Sequence, residues 1–164
     1  MTILGFDPGL ATLGYGVITT NKNGKAEMQD YGIISTPKDM SLPERLIMLE
    51  RGIEQVIDTF SPDAIAIEEL FFAKNVKTGI AVAHARGVLL LTAMKKCSKI
   101  YEYTPLQIKQ ALTGYGRAEK IQIQQMVKTF LHLKSVPKPD DAADALAVAL
   151  THAQTSNFAG LFKI

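Results

Sequence analysis

Hydrophobic and polar positions alternate, then cycle, along this 164-residue chain. ILGFD (3–7) has the pattern of a strand, broken by Pro8 and Gly9. LGYGVIT (13–19) predicts a second strand, residues 21–24 supply turn chemistry, and a third strand is predicted over about 27–35. These three form an antiparallel meander. The period then changes. Leu46, Leu49, Ile53, Val56, Ile57 and Phe60 recur at helical spacing, with Ser41 placed as a cap and Pro62 as a stop. DAIAIE (63–68) is apolar without alternation, as befits a strand covered on both faces. A long helix is predicted over 76–96, a fifth strand over 99–103, and helices near 105–113, 119–132 and 141–153.

A meander followed by alternating strand and helix predicts an α/β three-layer sandwich. Its core is a five-stranded mixed sheet with helices on both faces. One domain is expected over 1–155, with a flexible tail over 156–164. Two helices break the usual amphipathic rule. The 76–96 helix carries apolar residues around most of its circumference, among them Val76, Ile80, Val82, Leu89, Leu91 and Met94. Deep burial or a dimer interface would explain that excess. The last helix, KPDDAADALAVAL (138–150), is alanine-rich yet opens with Asp140, Asp141 and Asp144.

Hydrophobic residues make up 47% of the chain, enough for a core. No run approaches the roughly 18 apolar residues that span a bilayer. MTILGFDPG lacks a basic leader region and sets Asp7 within its apolar run, so no signal peptide is expected. Cys97 is the lone cysteine, which fits a reducing cytoplasm. His84, His132 and His152 lie far apart and form no zinc spacing with it. Charge is uneven: residues 27–70 hold ten acids against Lys38, Arg45 and Arg51, whereas 93–138 hold nine bases against Glu102 and Glu119. The basic half suits a polyanionic partner, although a solvated surface would look the same.

Four acids stand in apolar surroundings. Asp7 closes the first strand, Glu68 or Glu69 closes the fourth, and Asp141 and Asp144 share a helical face. Strand parity puts Asp7 with Ile3 and Gly5, and Glu68 with Ala64 and Ala66. Those small-residue faces allow the alanine-rich last helix to come close, so Asp7, Glu68, Asp141 and Asp144 are expected to converge at one sheet edge. Gathered carboxylates need a cation among them, and oxygen ligands without His or Cys favour Mg²⁺ or Mn²⁺. Taken singly, each acid also fits a helix cap, a turn or a solvated strand end.

FDPGLATLGYGVI, AIEELFFAKN, ARGV, GYGRAEK and DDAADALAVALTHA together resemble, in order and spacing, the RuvC family of Holliday-junction resolvases. The resemblance runs from about residue 3 to 153. It implies a ribonuclease-H-like fold and a homodimer that nicks four-way DNA junctions symmetrically in recombination and repair. The family's catalytic carboxylates fall on Asp7, Glu68, Asp141 and Asp144, with two Mg²⁺ ions per site. An aromatic that contacts the junction centre falls on Phe71, and two lysines near the active site fall on Lys109 and Lys120. The RuvA–RuvB branch-migration complex is the implied partner.

From the residues themselves, Lys109, Arg117 and Lys120 surround the glycine-bearing loop TGYGRAEK, suited to a phosphate backbone. Lys120 is the sharper candidate for charge stabilisation at a scissile phosphate. Three rivals remain open. A sugar-kinase-like ATPase shares the strand–Asp–Gly–strand hairpin but needs a far longer chain. A related nuclease acting on RNA or an RNA–DNA hybrid would carry the same acids. A non-catalytic junction-binding module would gain nothing from acids facing phosphates.

Overall fold

The computed structural model describes residues 1–69 and 76–164. β1 (Thr2–Asp7), β2 (Thr12–Thr20) and β3 (Ala26–Ser35) form the meander, followed by α1 (Leu42–Phe60), β4 (Ala64–Glu68) and α2 (Val76–Lys96). Then come β5 (Ile100–Tyr103), α3 (Pro105–Thr113), α4 (Lys120–Phe130) and α5 (Asp140–Thr155). The sheet order is β3-β2-β1-β4-β5. β1 pairs antiparallel with β2 and parallel with β4, and β5 extends the parallel half. The predicted elements thus form with shifts of one or two residues at most ends.

Local chemistry sets several boundaries. The Ser41 backbone N–H donates to the Glu44 carboxylate at 2.9 Å, closing the start of α1. Ser61, in the left-handed region at φ 42°, ends that helix just before Pro62. At α3, Thr104 Oγ1 accepts from the Gln107 N–H at 3.1 Å and Gly114 closes the helix at φ 70°.

Strand parity divides the core into two layers. Leu4, Phe6, Leu13, Val17, Ile65 and Ile67 pack with Leu49, Ile53 and Leu89 of α1 and α2. Ile3, Ile18 and Ala66 face the opposite way, against Leu146 and Ala149 of α5. α3 and α4 in turn pack on α5. This accounts for the composition of α5. From Ala142 to His152 every residue is buried except Asp144, as expected of a helix enclosed on all sides.

The contact between α5 and the sheet is backbone to backbone. A Cβ on Gly5 would lie 2.2 Å from the Ala145 carbonyl oxygen, and one on Gly14 would lie 2.1 Å from that of Asp141. Gly5 has Gly16 on one side and Ala66 on the other. The small-residue face expected from the sequence is therefore a continuous bed for α5.

The tail departs from expectation. Residues 156–161 form a short 3₁₀ helix, and the chain then runs beside β5. The Glu102 N–H donates to the Phe162 carbonyl at 2.9 Å, and the Ile164 N–H to that of Ile100 at 3.1 Å. Phe162 packs on the Tyr103 ring at 4.9 Å between centroids. These bonds satisfy backbone groups that an exposed edge strand leaves open.

Substituting Gly5→Ala is expected to cost about 1–3 kcal/mol of stability, because backbone and not a side-chain tip must move. Urea denaturation measures this. A midpoint equal to wild type would contradict the close approach of α5.

Candidate active site

Asp7 ends β1 and Glu68 ends β4. Phe6 pairs with Ile67, so the two acids follow in register at the ends of adjacent parallel strands. Glu69, the neighbour that motif spacing alone would not separate, is exposed, and its N–H donates to the Tyr103 carbonyl at 2.9 Å. The parity choice of Glu68 agrees with this placement. Asp141 and Asp144 ride on the first turns of α5, which the glycine bed brings to the same edge.

The electrostatics record that convergence. Burial pushes the Asp7 carboxyl up to about 8, helped by the negative charges of Glu68, Asp144 and Asp141. Burial also raises Glu68 to about 7, with Asp144 adding to it, and raises Asp144. Against these works one cation. Lys120, at the start of α4, donates to Asp144 at 2.8 Å and lies 3.6 Å from Asp140. Asp140, which the motif leaves out, also pairs with Lys138 at 2.7 Å. The order Lys138-Pro139-Asp140 was the only trace of that network in the sequence.

Glu68, Asp144, Lys109 and Lys120 line one cleft of about 200 Å³, floored by Pro105, Ile108, Ile123 and Ala147. Lys109 is thereby brought to the acids. Arg117 is not: it is exposed in the α3–α4 connection and does not line the cleft. The glycines of that connection have local duties, Gly114 as the α3 cap and Gly116 against Leu106, where a Cβ would come within 2.5 Å of Cδ1. Phe71 lies outside the described residues.

A sheet edge bearing these acids, with two lysines in their cleft, has relatives. A family model described as Crossover junction endodeoxyribonuclease RuvC matches residues 3–152. The chain belongs to the RuvC family. The protein of that name from Alkaliphilus oremlandii is 58% identical over 164 residues, covering 100% of this chain and 99% of its own. That from Clostridioides difficile is 52% identical, covering 99% and 96%. The solved Thermus thermophilus RuvC in complex with Holliday junction substrate is 36% identical, with a TM-score of 0.92 over 99% of this chain and 98% of that one. The sandwich is thus the ribonuclease-H-like fold of RuvC.

RuvC nucleases are metal-dependent. Among the described residues no three His, Cys, Asp or Glu side chains are drawn within reach of one ion. Lys120 is held on Asp144. The donor set nevertheless fits a hard divalent cation: it is all carboxylate oxygen and it is half-buried at one sheet edge.

The sign of the pH dependence follows. Asp7 and Glu68 go from about 8 and about 7 when folded to ordinary values of 3.8 and 4.5 when unfolded. Between those limits the folded chain holds protons that the unfolded chain has released, so ion-free stability falls as pH rises through the window. In EDTA, the melting temperature is expected to drop between about pH 5 and pH 8, and Asp7→Asn should flatten the drop. Adding Mg²⁺ or Mn²⁺ should restore stability mainly at the upper end. A flat profile in EDTA would contradict the buried-acid description.

Proposed function

We propose that this chain resolves four-way DNA junctions by metal-dependent hydrolysis at Asp7, Glu68, Asp141 and Asp144. The observation that carries the reading is the gathering of these half-buried acids at one sheet edge, where Glu68, Asp144 and Asp141 all act on Asp7. Two Mg²⁺ ions, replaceable by Mn²⁺, would be held by the four carboxylates. Bound there, they supply the charge that activates a water and stabilises the leaving 3′-oxygen of an in-line displacement. The products are a 5′-phosphate and a 3′-hydroxyl, ready for ligation.

The chain's own residues do the rest. Asp7 ends β1, the strand between β2 and β4, and would be one of the carboxylates that hold the ions. Lys120 is the positive side chain nearest the acids, and its ammonium stabilises charge at the scissile phosphate. Lys109 neutralises the backbone in the same cleft. Phe71 stacks on an unpaired base at the junction centre, and Arg117 contacts backbone farther from the reaction.

Paired nicks need two sites held together, and α2 supplies the means. Ile80, Leu91 and Met94 are 53%, 59% and 60% exposed. With His84 and the open Gly87 they form a stripe at heptad spacing along the outer face of α2. Pairing that stripe with its copy gives a homodimer whose two-fold axis matches a junction. The setting is the bacterial cytoplasm, where a RuvA–RuvB branch-migration complex delivers the substrate. No described helix is long and apolar enough to cross a membrane.

Strand-specific cleavage of an end-labelled four-way junction in Mg²⁺ tests this. Wild type is expected to make paired nicks at symmetric positions and to spare linear duplex and RNA–DNA hybrid. Asp141→Asn should lose at least about a hundredfold in rate, and Leu91→Glu should give single, unpaired nicks. Preferred cutting of the hybrid would keep the chemistry and overturn the substrate. Tight binding with no cleavage would overturn the chemistry.

A further inference from the structure

One of the acids, Asp141, borders a second groove. It has a volume of about 680 Å³ and is lined by the β1–β2 turn, Lys38, Arg45, Ala81 and Val82 of α2, and Asp141. The first cleft holds Glu68 and Asp144 with Lys109 and Lys120. Asp141 and Asp144 stand one helical turn apart, so the head of α5 divides the two spaces and presents an acid to each.

One basic residue of this groove, Arg45, is set in place. Arg45 Nε donates to Thr36 Oγ1 at 2.8 Å. The Thr36 hydroxyl donates to the Leu10 carbonyl at 2.6 Å, and its N–H to that of Ala11 at 3.1 Å. Thr36 is buried. Arg45, Thr36 and the turn that follows Asp7 are therefore joined by a chain of hydrogen bonds. The Nε bond leaves the terminal amino groups of the guanidinium for another acceptor. Lys38 is exposed two residues beyond Thr36. Among the described residues neither Lys38 nor Arg45 is ion-paired. Their position is selective. Residues 27–70 hold ten acids and only three bases, and two of those three line this groove.

We propose that this groove is a second subsite for the phosphodiester backbone, resting on the nuclease reading above. Lys38 and Arg45 neutralise phosphates on the flank of the scissile bond opposite Lys109 and Lys120. A polyanion passing a cluster of carboxylates is held more firmly where positive charge stands on both sides of them. The first cleft supplies one side only. With the second groove, the strand crosses the acids between two basic walls. Arg45 also fixes the turn after Asp7 through Thr36, so backbone capture and acid placement are mechanically joined.

Binding of a fluorescent four-way junction, titrated in Mg²⁺ across a salt series, tests the subsite. Asp7→Asn serves as the parent so that the junction stays intact. Lys38→Ala, on an exposed side chain, should keep the parent's melting temperature. It should weaken binding about 3- to 10-fold at low salt, with the gap closing as salt rises and the logarithmic slope reduced by about 0.9. In the wild-type background, Lys38→Ala at limiting enzyme should slow cleavage in proportion to its loss of affinity. Arg45→Gln should weaken binding and also slow cleavage. Thr36→Val, which keeps Arg45 but cuts its link to the turn, should slow cleavage while leaving the salt slope intact. Parent-like affinity and slope in both Lys38→Ala and Lys38→Glu would overturn the subsite alone. A parent that does not bind the junction, together with wild type that does not cut it, would overturn the nuclease reading and the subsite with it.

Discussion

The backbone of α5 lies directly on Gly5, Gly14 and Gly16 of the first two strands. Every other feature of the site depends on that approach. A strand with ordinary side chains there would hold the helix farther off, and the head of α5 would move with it. Asp141 and Asp144 would then no longer share a field with Asp7 and Glu68. The alanines of α5 serve the same purpose from the other side. Enclosure by α3 and α4 removes the need for a polar face, which leaves Asp144 as the single residue between Ala142 and His152 that is not buried.

Convergence of like charges opposes folding. Asp7 and Glu68 are raised chiefly because water is excluded from them, and only secondarily because they face each other and Asp144. Lys120 relieves part of this strain through Asp144. The protein thus gathers acids where burial disfavours their charged forms. Functional sites are commonly built this way, with stability given up for reactivity. The partly buried pair of Arg86 and Glu102 ties α2 to β5.

Much of this was legible in the sequence because it is local or periodic. Alternation and helical spacing marked the elements, and parity singled out Glu68 and the small-residue bed. What was illegible depends on long-range pairing. The tail looked loose because its order comes from backbone bonds to β5 and from Phe162 meeting Tyr103, none of which leaves a periodic trace. The glycines of TGYG suggested phosphate contact, whereas a helix cap and the packing of Leu106 account for them. His152 offered no metal spacing. It is buried, accepts or donates at 2.8 Å with the Tyr103 hydroxyl, and is pushed down to about 4 by burial. Lys38 and Arg45 were visible only as stray bases in an acidic stretch, because the groove that joins them to Asp141 is assembled from four separate segments.

If α5 completes a divalent-cation site with the ends of β1 and β4, the ions must sit where its head meets those strands. Anomalous diffraction from crystals soaked in Mn²⁺ tests this most directly. Strong peaks are expected among the carboxylates of Asp7, Glu68, Asp141 and Asp144, with Lys120 drawn away from Asp144. Full-occupancy ions elsewhere, with these four acids unligated and Lys120 still on Asp144, would contradict it.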